Sequence, residues 1–223
     1  MTWRDPADFP RKVYSQTGEE GVLEGIFANV GEGDRCLVDV GAGDGRTLSN
    51  TRWLLERGWH GARFDAAHAG DVHQERITAE NVAAIFLKYG VPSIFDLLSL
   101  DIDGLDWWVL RALLRAGYQP RVVCCEINPE LPEEPPVAVE YHPEFTFRET
   151  RYFGASLGAY RRLMAAHGYR LVHLQAGMNA FFIKQELVPA DAVIEVGDFA
   201  PRAVWGPDPA GRPWHALTDE ECR

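Results

Sequence analysis

The chain has 223 residues, a formal net charge of -11, 46% hydrophobic residues and 25% charged residues; this fits one folded domain with a sizeable core and excludes disordered and fibrous classes. Phosphate backbones are gripped by clustered Lys and Arg, so the acidic balance argues against a nucleic-acid partner. No apolar run reaches the roughly 18 residues of a membrane span, and the start, Met1-Thr2-Trp3-Arg4-Asp5-Pro6, lacks the apolar core of a leader, so the expectation is a cytoplasmic protein without a membrane partner.

Residues 1–13, with Pro6 and Pro10, read as an irregular arm, and residues 21–30 as a helix with Val22, Leu23, Ile26 and Phe27 on its apolar side. Cys36-Leu37-Val38-Asp39-Val40 is an apolar run feeding into glycines, the mark of a buried parallel strand. A helix over 49–57, stopped by Gly58, leads to a strand over 61–65 that ends in Asp65. Thr78 and Asn81 make a capping box, with Asn in place of Glu, for a helix over 79–89 that Gly90 and Pro92 stop. A third strand between Asp65 and Thr78 is not expected, because only residues 66–77 separate them.

Residues 94–100 form the next buried strand and run into Asp101-Ile102-Asp103-Gly104; a helix over 107–116 and a strand over 121–126 follow. Residues 129–153 open with a Pro- and Glu-rich stretch and read as a loop on the substrate side. A helix over 157–167 precedes strands over 170–174 and 180–184, joined through Gly177, and residues 189–223 read as an irregular tail. The beat of strand and helix predicts an α/β fold with a Rossmann-like, doubly wound, mostly parallel sheet and an antiparallel end, as a single domain over residues 1–223. Cys36, Cys124, Cys125 and Cys222 have the spacing of neither a zinc cluster nor a disulfide framework and read as small core residues.

Ligands of such sheets bind beyond the carboxyl ends of the strands, near the reversal of strand order. The strand ends deliver Gly41, Gly43 and Gly45, then Asp65, then Asp101 and Asp103, then Glu126 and Asn128. The spacing G-x-G-x-G puts Gly45 one residue early for a dinucleotide fingerprint, so the loop suits a ligand without phosphates and disfavours an NAD-dependent oxidoreductase. Asp65, about 20 residues on, has the spacing of an acid that accepts both hydroxyls of a ribose.

Val38-Asp39-Val40-Gly41-Ala42-Gly43-Asp44-Gly45 resembles motif I of class I S-adenosylmethionine-dependent methyltransferases, and Asp65 resembles their ribose acid. Together with Ser15-Gln16-Thr17-Gly18-Glu19-Glu20-Gly21, Leu98-Ser99-Leu100-Asp101-Ile102-Asp103-Gly104-Leu105-Asp106-Trp107-Trp108, Glu126-Ile127-Asn128-Pro129 and Gly154-Ala155-Ser156-Leu157, the pattern is similar to FkbM-type and related bacterial methyltransferases. The resemblance implies S-adenosylmethionine as cofactor, held by Gln16, Asp39, Gly41, Gly43, Gly45, Asp65 and Asp101, with Asp39 facing the methionine amino group and Asp71 and Val72 walling the adenine. Asp101, Glu126 and Asn128 resemble the site of a divalent cation such as magnesium in macrocin- and catechol-type O-methyltransferases, although the usual adjacent acid pair is replaced by Glu126-Ile127. Asp103 is the expected general base. These acids also suit caps on the following helix or direct contacts to substrate.

The expected function is metal-assisted O-methylation of a small-molecule acceptor, a sugar, phenol or natural-product hydroxyl. The alternatives are an N-methyltransferase, or a non-catalytic module that binds S-adenosylmethionine or a nucleoside. Self-association into a homo-oligomer is compatible with the sequence.

Overall fold

The computed structural model describes residues 3–223, and Met1 and Thr2 of the expected arm lie outside them. In chain order the elements are α1 (Glu19–Val30), β1 (Cys36–Val40), α2 (Arg52–Leu55), β2 (His60–Asp65), β3 (His73–Gln74), α3 (Val82–Lys88), β4 (Ile94–Leu100), α4 (Asp106–Arg115), β5 (Gln119–Glu126), β6 (Val137–Val139), α5 (Leu157–Ala166), β7 (Tyr169–Gln175), β8 (Asn179–Lys184) and β9 (Trp214–Ala216). Seven strands form one sheet in the order β3-β2-β1-β4-β5-β8-β7. All neighbours are parallel except β8, which is antiparallel to both β5 and β7. This is the expected Rossmann-like, doubly wound α/β sheet with an antiparallel end.

Both faces of the sheet are covered, which is why β1 is buried at all five positions and shows no apolar-polar alternation. On one face Val38, Val40, Phe64, Leu98, Leu100 and Val123 pack with α3, α4 and α5. On the other, Leu37, Leu97, Val122 and Phe181 pack with α1 and Leu54 of α2. Successive side chains point to opposite faces, so the pairings Arg63↔Asp39↔Ser99↔Cys124 put two charged residues, a serine and a thiol in one cross-strand row under α1 and α2. Strand order reverses between β1 and β4, and their carboxyl ends open side by side.

Four expectations need correction. The helix over 49–57 shrinks to Arg52–Leu55, because Ser49 Oγ accepts the amides of Thr51 and Arg52, while Thr51 Oγ1 turns inward to Asp39 at 2.7 Å. The third strand exists: the two residues of β3 extend the sheet beside Phe64 and Asp65. Residues 129–153 and 189–223 are not wholly irregular, since β6 and β9 pair antiparallel, Thr150 bridges Gly206, and Leu217 and Cys222 are buried. The arm contains a 3-10 turn at Pro6–Asp8, where Asp5 accepts the Ala7 amide at 2.9 Å. Strands of two or three residues are too short to carry a readable period, and the β6–β9 pairing joins segments about 75 residues apart.

The capping box is half formed: Asn81 Oδ1 accepts the Thr78 amide at 2.8 Å, and α3 starts only after Asn81. Among the described residues no helix is long and apolar enough to cross a membrane.

Candidate functional site

At the reversal point β1 ends in Gly41, whose φ is +88°, and a Cβ there would sit 1.6 Å from the Asp101 carbonyl oxygen. Only glycine lets the two strand ends approach this closely. The loop is then fixed through its own amides. Gly41 and Ala42 both donate to the Phe64 carbonyl, Gly43 to Asp65 Oδ2 at 3.0 Å, and Gly45 to the Ala42 carbonyl. Arg46 and Thr47 donate to Asp44 Oδ1. Each of these six amides therefore has a protein acceptor, and the next helix has only four residues. A phosphate cradle needs several free amides at a helix start, and here only that of Asp44 lacks a protein acceptor between Gly41 and Thr47.

Two cavities flank this turn and share Gly41, Gly43, Asp101 and Asp103 in their walls. The first, about 380 Å3, runs toward β2 and β3 and is lined by Phe64, Asp65, His68, Glu75, Arg76 and Ile77. Pro143 and Phe145 roof it. The Arg76 guanidinium holds that roof by donating to the Phe145 carbonyl at 2.8 Å and the Pro143 carbonyl at 3.3 Å. The second cavity, about 340 Å3, runs toward β5 and β8, past Gln16, Asp39, Asn50, Ser99, Glu126 and Asn179.

Asp65 closes the floor of the first cavity. Its Oδ1 accepts the amides of Ala67 and His68 at 2.8 and 3.0 Å and faces His68 Nδ1 at 3.0 Å. Burial works to raise its pKa, but these bonds and the Gly43 amide outweigh it and hold the group below the ordinary carboxylate value. Asp39 differs. It is 4% exposed, and burial pushes it up to about 6 although the Thr51 hydroxyl donates to it.

The loop after β4 is turned by Asp106, which is fully buried and accepts the Ile102 amide at 2.8 Å and the Gly104 amide at 2.9 Å. That bracket holds Asp103 at φ +55° between the two cavities. Asp101, Asp103 and Glu126 each bring an oxygen into a group whose atoms all lie within 4.8 Å of one another. Burial raises the pKa of all three. Coulombic repulsion from Asp106 and Asp103 adds to it at Asp101, and repulsion from Asp101 and Asp106 adds to it at Glu126. Glu126 Oε2 is buried without a hydrogen-bond partner, and Asn179, its cross-strand neighbour on β8, has an equally unpartnered Oδ1.

Gln16, Asp39, Gly41, Gly43, Asp65 and Asp101 thus line one or both cavities, whereas Gly45 lies behind the loop against Arg63 and Val72. Four expectations are corrected, for Gly45 and for Asn128, Asp71 and Val72. Asn128 is not available as a metal ligand, since its amide donates to the Arg151 and Phe153 carbonyls at 2.9 and 2.7 Å and its oxygen accepts the Glu130 amide at 2.8 Å. Asp103 takes its place in the oxygen cluster. Asp71 and Val72 line neither cavity: Asp71 is 81% exposed, 4.0 Å from Arg63, and Val72 is packed at 2% exposure. Asp106 is committed to shaping its loop.

Sequence reasoning missed Asn179, Glu75, Arg76 and the roof residues Pro143 and Phe145. Asn179 follows a turn and gives no motif. It is placed by its pairing with Glu126 and by donating to Glu19 Oε1 at 3.0 Å. The buried acids at the start of α1 also explain Gln16: Glu20 accepts the amides of Val13 and Tyr14, Glu19 accepts that of Thr17, and the turn between them carries Gln16 into the second cavity.

No family model matches the chain. Over 126 residues, 56% of its length, it is 28% identical to a UDP-N-acetylenolpyruvoylglucosamine reductase of Saccharopolyspora erythraea, and the match spans 33% of that protein. Among solved structures it is similar, at 17% identity and a TM-score of 0.38 over 74% of each chain, to the 1,6-didemethyltoxoflavin-N1-methyltransferase of Burkholderia thailandensis with bound 1,6-didemethyltoxoflavin and S-adenosylhomocysteine.

Proposed function

We propose that the chain is an S-adenosylmethionine-dependent methyltransferase acting on a small molecule. The observation that carries this reading is the contrast between the turn and the cavities. Six of the seven amides from Gly41 to Thr47 are occupied, that of Asp44 being the exception, which disfavours a pyrophosphate ligand, while Asp65, Asp39, Glu126 and Asn179 line space that a nucleoside with a cationic tail would fill. The same contrast argues against a dinucleotide-dependent reductase.

In this reading Asp65 accepts the ribose hydroxyls, and Phe64 and Ile77 flank the base in the first cavity. Asp39 and the free Oδ1 of Asn179 receive the ammonium of the amino-acid tail in the second. The donor supplies an electrophilic methyl group on a positively charged sulfur. Gly41 and Gly43, shared by both cavities, fix the path between the two halves of the donor, and alignment is the protein's main contribution.

We further assign the acceptor as a hydroxyl compound and the oxygen cluster as the site of a divalent cation. The fit rests on an unpartnered buried carboxylate oxygen within a three-acid group that no described ion pair neutralises. Asp101 and Glu126 would hold the cation, which lowers the pKa of a bound hydroxyl. Asp103, exposed in the walls of both cavities, is left to take the hydroxyl proton.

Calorimetry with S-adenosylmethionine and S-adenosylhomocysteine, with and without magnesium, tests both layers. Micromolar binding of either is expected, tightened by magnesium. No binding of either molecule refutes the donor site, and binding indifferent to magnesium, together with methyl transfer that survives chelation, refutes the cation.

A further inference from the structure

The second cavity has a rim as distinctive as its floor. The floor carries Asp101, Asp103, Glu126 and Asn179, and the lining also includes the apolar side chains of Phe147, Phe153, Met178, Leu48 and Trp205. Phe147 stands edge-on to Phe153 and to Trp205, with ring centroids 5.3 and 5.2 Å apart. Leu48 and Trp205, at 61% and 37% exposure, are large apolar side chains left open to solvent at this mouth. Leu48 is held there at φ +55°, a conformation that is strained for a branched side chain.

Trp205 comes from the C-terminal segment and is fastened to the site. Glu130 Oε1 accepts the Val204 and Trp205 amides at 3.2 and 2.6 Å, the Gly206 carbonyl accepts the Arg151 amide at 2.9 Å, and Arg202 donates to the Ala176 carbonyl at 2.7 Å. A segment without regular structure is thus pinned at three points around one exposed indole. Rigid aromatic rings and a thioether present a large contact area with few polar atoms. Gln16, Thr47, Ser49 and Asn50 also line the cavity, so the preference for a flat ring rests on the aromatic cluster.

From these features we propose that the second cavity takes a single-ring aromatic acceptor. The ring rests against Trp205, Phe147 and Met178, and its reacting heteroatom points down to the acidic floor. This rests on the methyltransferase reading for the direction of the reacting atom. The size limit follows from volume, because about 340 Å3 must also admit the amino-acid end of the donor, which leaves room for one ring. Trp205 and Phe147 determine specificity, and Glu130 acts through Trp205 as a positioning residue.

The test is calorimetric binding of p-cresol and 4-methylcatechol as ring probes and methyl glucoside as a sugar probe, to the full chain with and without S-adenosylhomocysteine. The ring probes should bind and the glucoside should not. Trp205→Ala and Phe147→Ala should weaken the ring probes tenfold or more while changing S-adenosylhomocysteine affinity less than twofold, and Glu130→Ala should weaken them severalfold, with Glu130→Gln restoring most of the loss. Ring probes that fail to bind, or that bind Trp205→Ala and Phe147→Ala as tightly as the parent, overturn the proposal, as does preferential binding of the glucoside. Failure of S-adenosylhomocysteine to bind refutes the donor reading alone, because ring-probe binding to the free protein still decides the acceptor.

Discussion

β4 carries one aspartate near its start and another just past its end, and the protein treats them in opposite ways. Asp96, 1% exposed, accepts the Gly33 and Arg35 amides at 2.9 and 2.7 Å and pairs with Arg121. Arg121 in turn donates to the carbonyls of Val30 and Gly31. Five residues on, Asp101 shares its surroundings with Asp103, Asp106 and Glu126 and has no cation beside it, so burial and mutual repulsion raise its pKa. A buried carboxylate compensated on the spot holds a structure together. One left uncompensated at the mouth of a cavity costs stability and retains the capacity to bind something positive.

The strongest way to break this contrast is to unpair the compensated end. Arg121→Ala leaves the Asp96 charge buried and should cost about 3–5 kcal/mol in urea unfolding. Donor affinity of the folded protein should not change. If the loss is small, Asp96 is not the anchor described.

For Asp39, buried on the neighbouring strand β1, the sign reverses. Asp39 has a folded pKa of about 6 against an ordinary 3.8. The fold therefore binds its proton more tightly than the unfolded chain, and this contribution is fully present below pH 4 and lost as pH rises through 6. The difference corresponds to about 3 kcal/mol. Asp39→Asn should remove that much of the decline in stability between pH 4 and pH 8, read from urea midpoints across the range. Asp106, also raised to about 6, should contribute a decline of the same shape that remains in this variant.

The third effect comes from filling the gap. Magnesium or manganese at about 100 times its dissociation constant should stabilise the protein by about 2.7 kcal/mol, visible as a rise in Tm. The paired substitution Asp101→Asn with Glu126→Gln should abolish that rise. A rise that persists places the cation elsewhere.

The smallest effects sharpen the donor site. Asp65→Ala should weaken S-adenosylhomocysteine by about tenfold, the loss of a hydrogen bond to a charged acceptor, whereas Asp71→Ala should shift affinity by less than about 0.5 kcal/mol, as an exposed side chain outside the cavities. Equal effects from the two would remove the distinction between them.

How legible this was in the sequence depends on whether the responsible interaction was local. β1, β4 and the end of β5 could be read because continuous apolar runs meet glycine or acids, and those same residues locate Gly41, Asp101 and Glu126, while Asp65 was read from its spacing after the glycine loop. Asn128 was misread because its place next to a strand end looks like a ligand position, and nothing local reveals that the Arg151 and Phe153 carbonyls occupy its amide. Asp71 and Val72 were misread for the opposite reason: the chain between β2 and β3 turns back on Arg63, leaving Glu75, Arg76 and Ile77 to wall the cavity. Asn179 and Trp205 reach the site only through long-range pairing, which no window of sequence contains.

The nearly complete pairing of the loop amides has a consequence, in the proposed reading, for the company the protein must refuse. Adenosine is common to many abundant metabolites, most of which extend it with phosphates, and a pocket that recognised only the nucleoside would be filled by them. In the proposed reading an adenine nucleotide would bring its phosphates to a turn with six of its seven amides already paired and then against Asp101, Asp103 and Glu126. On that reading the discrimination is set by what the backbone withholds, and it would operate before any acceptor arrives.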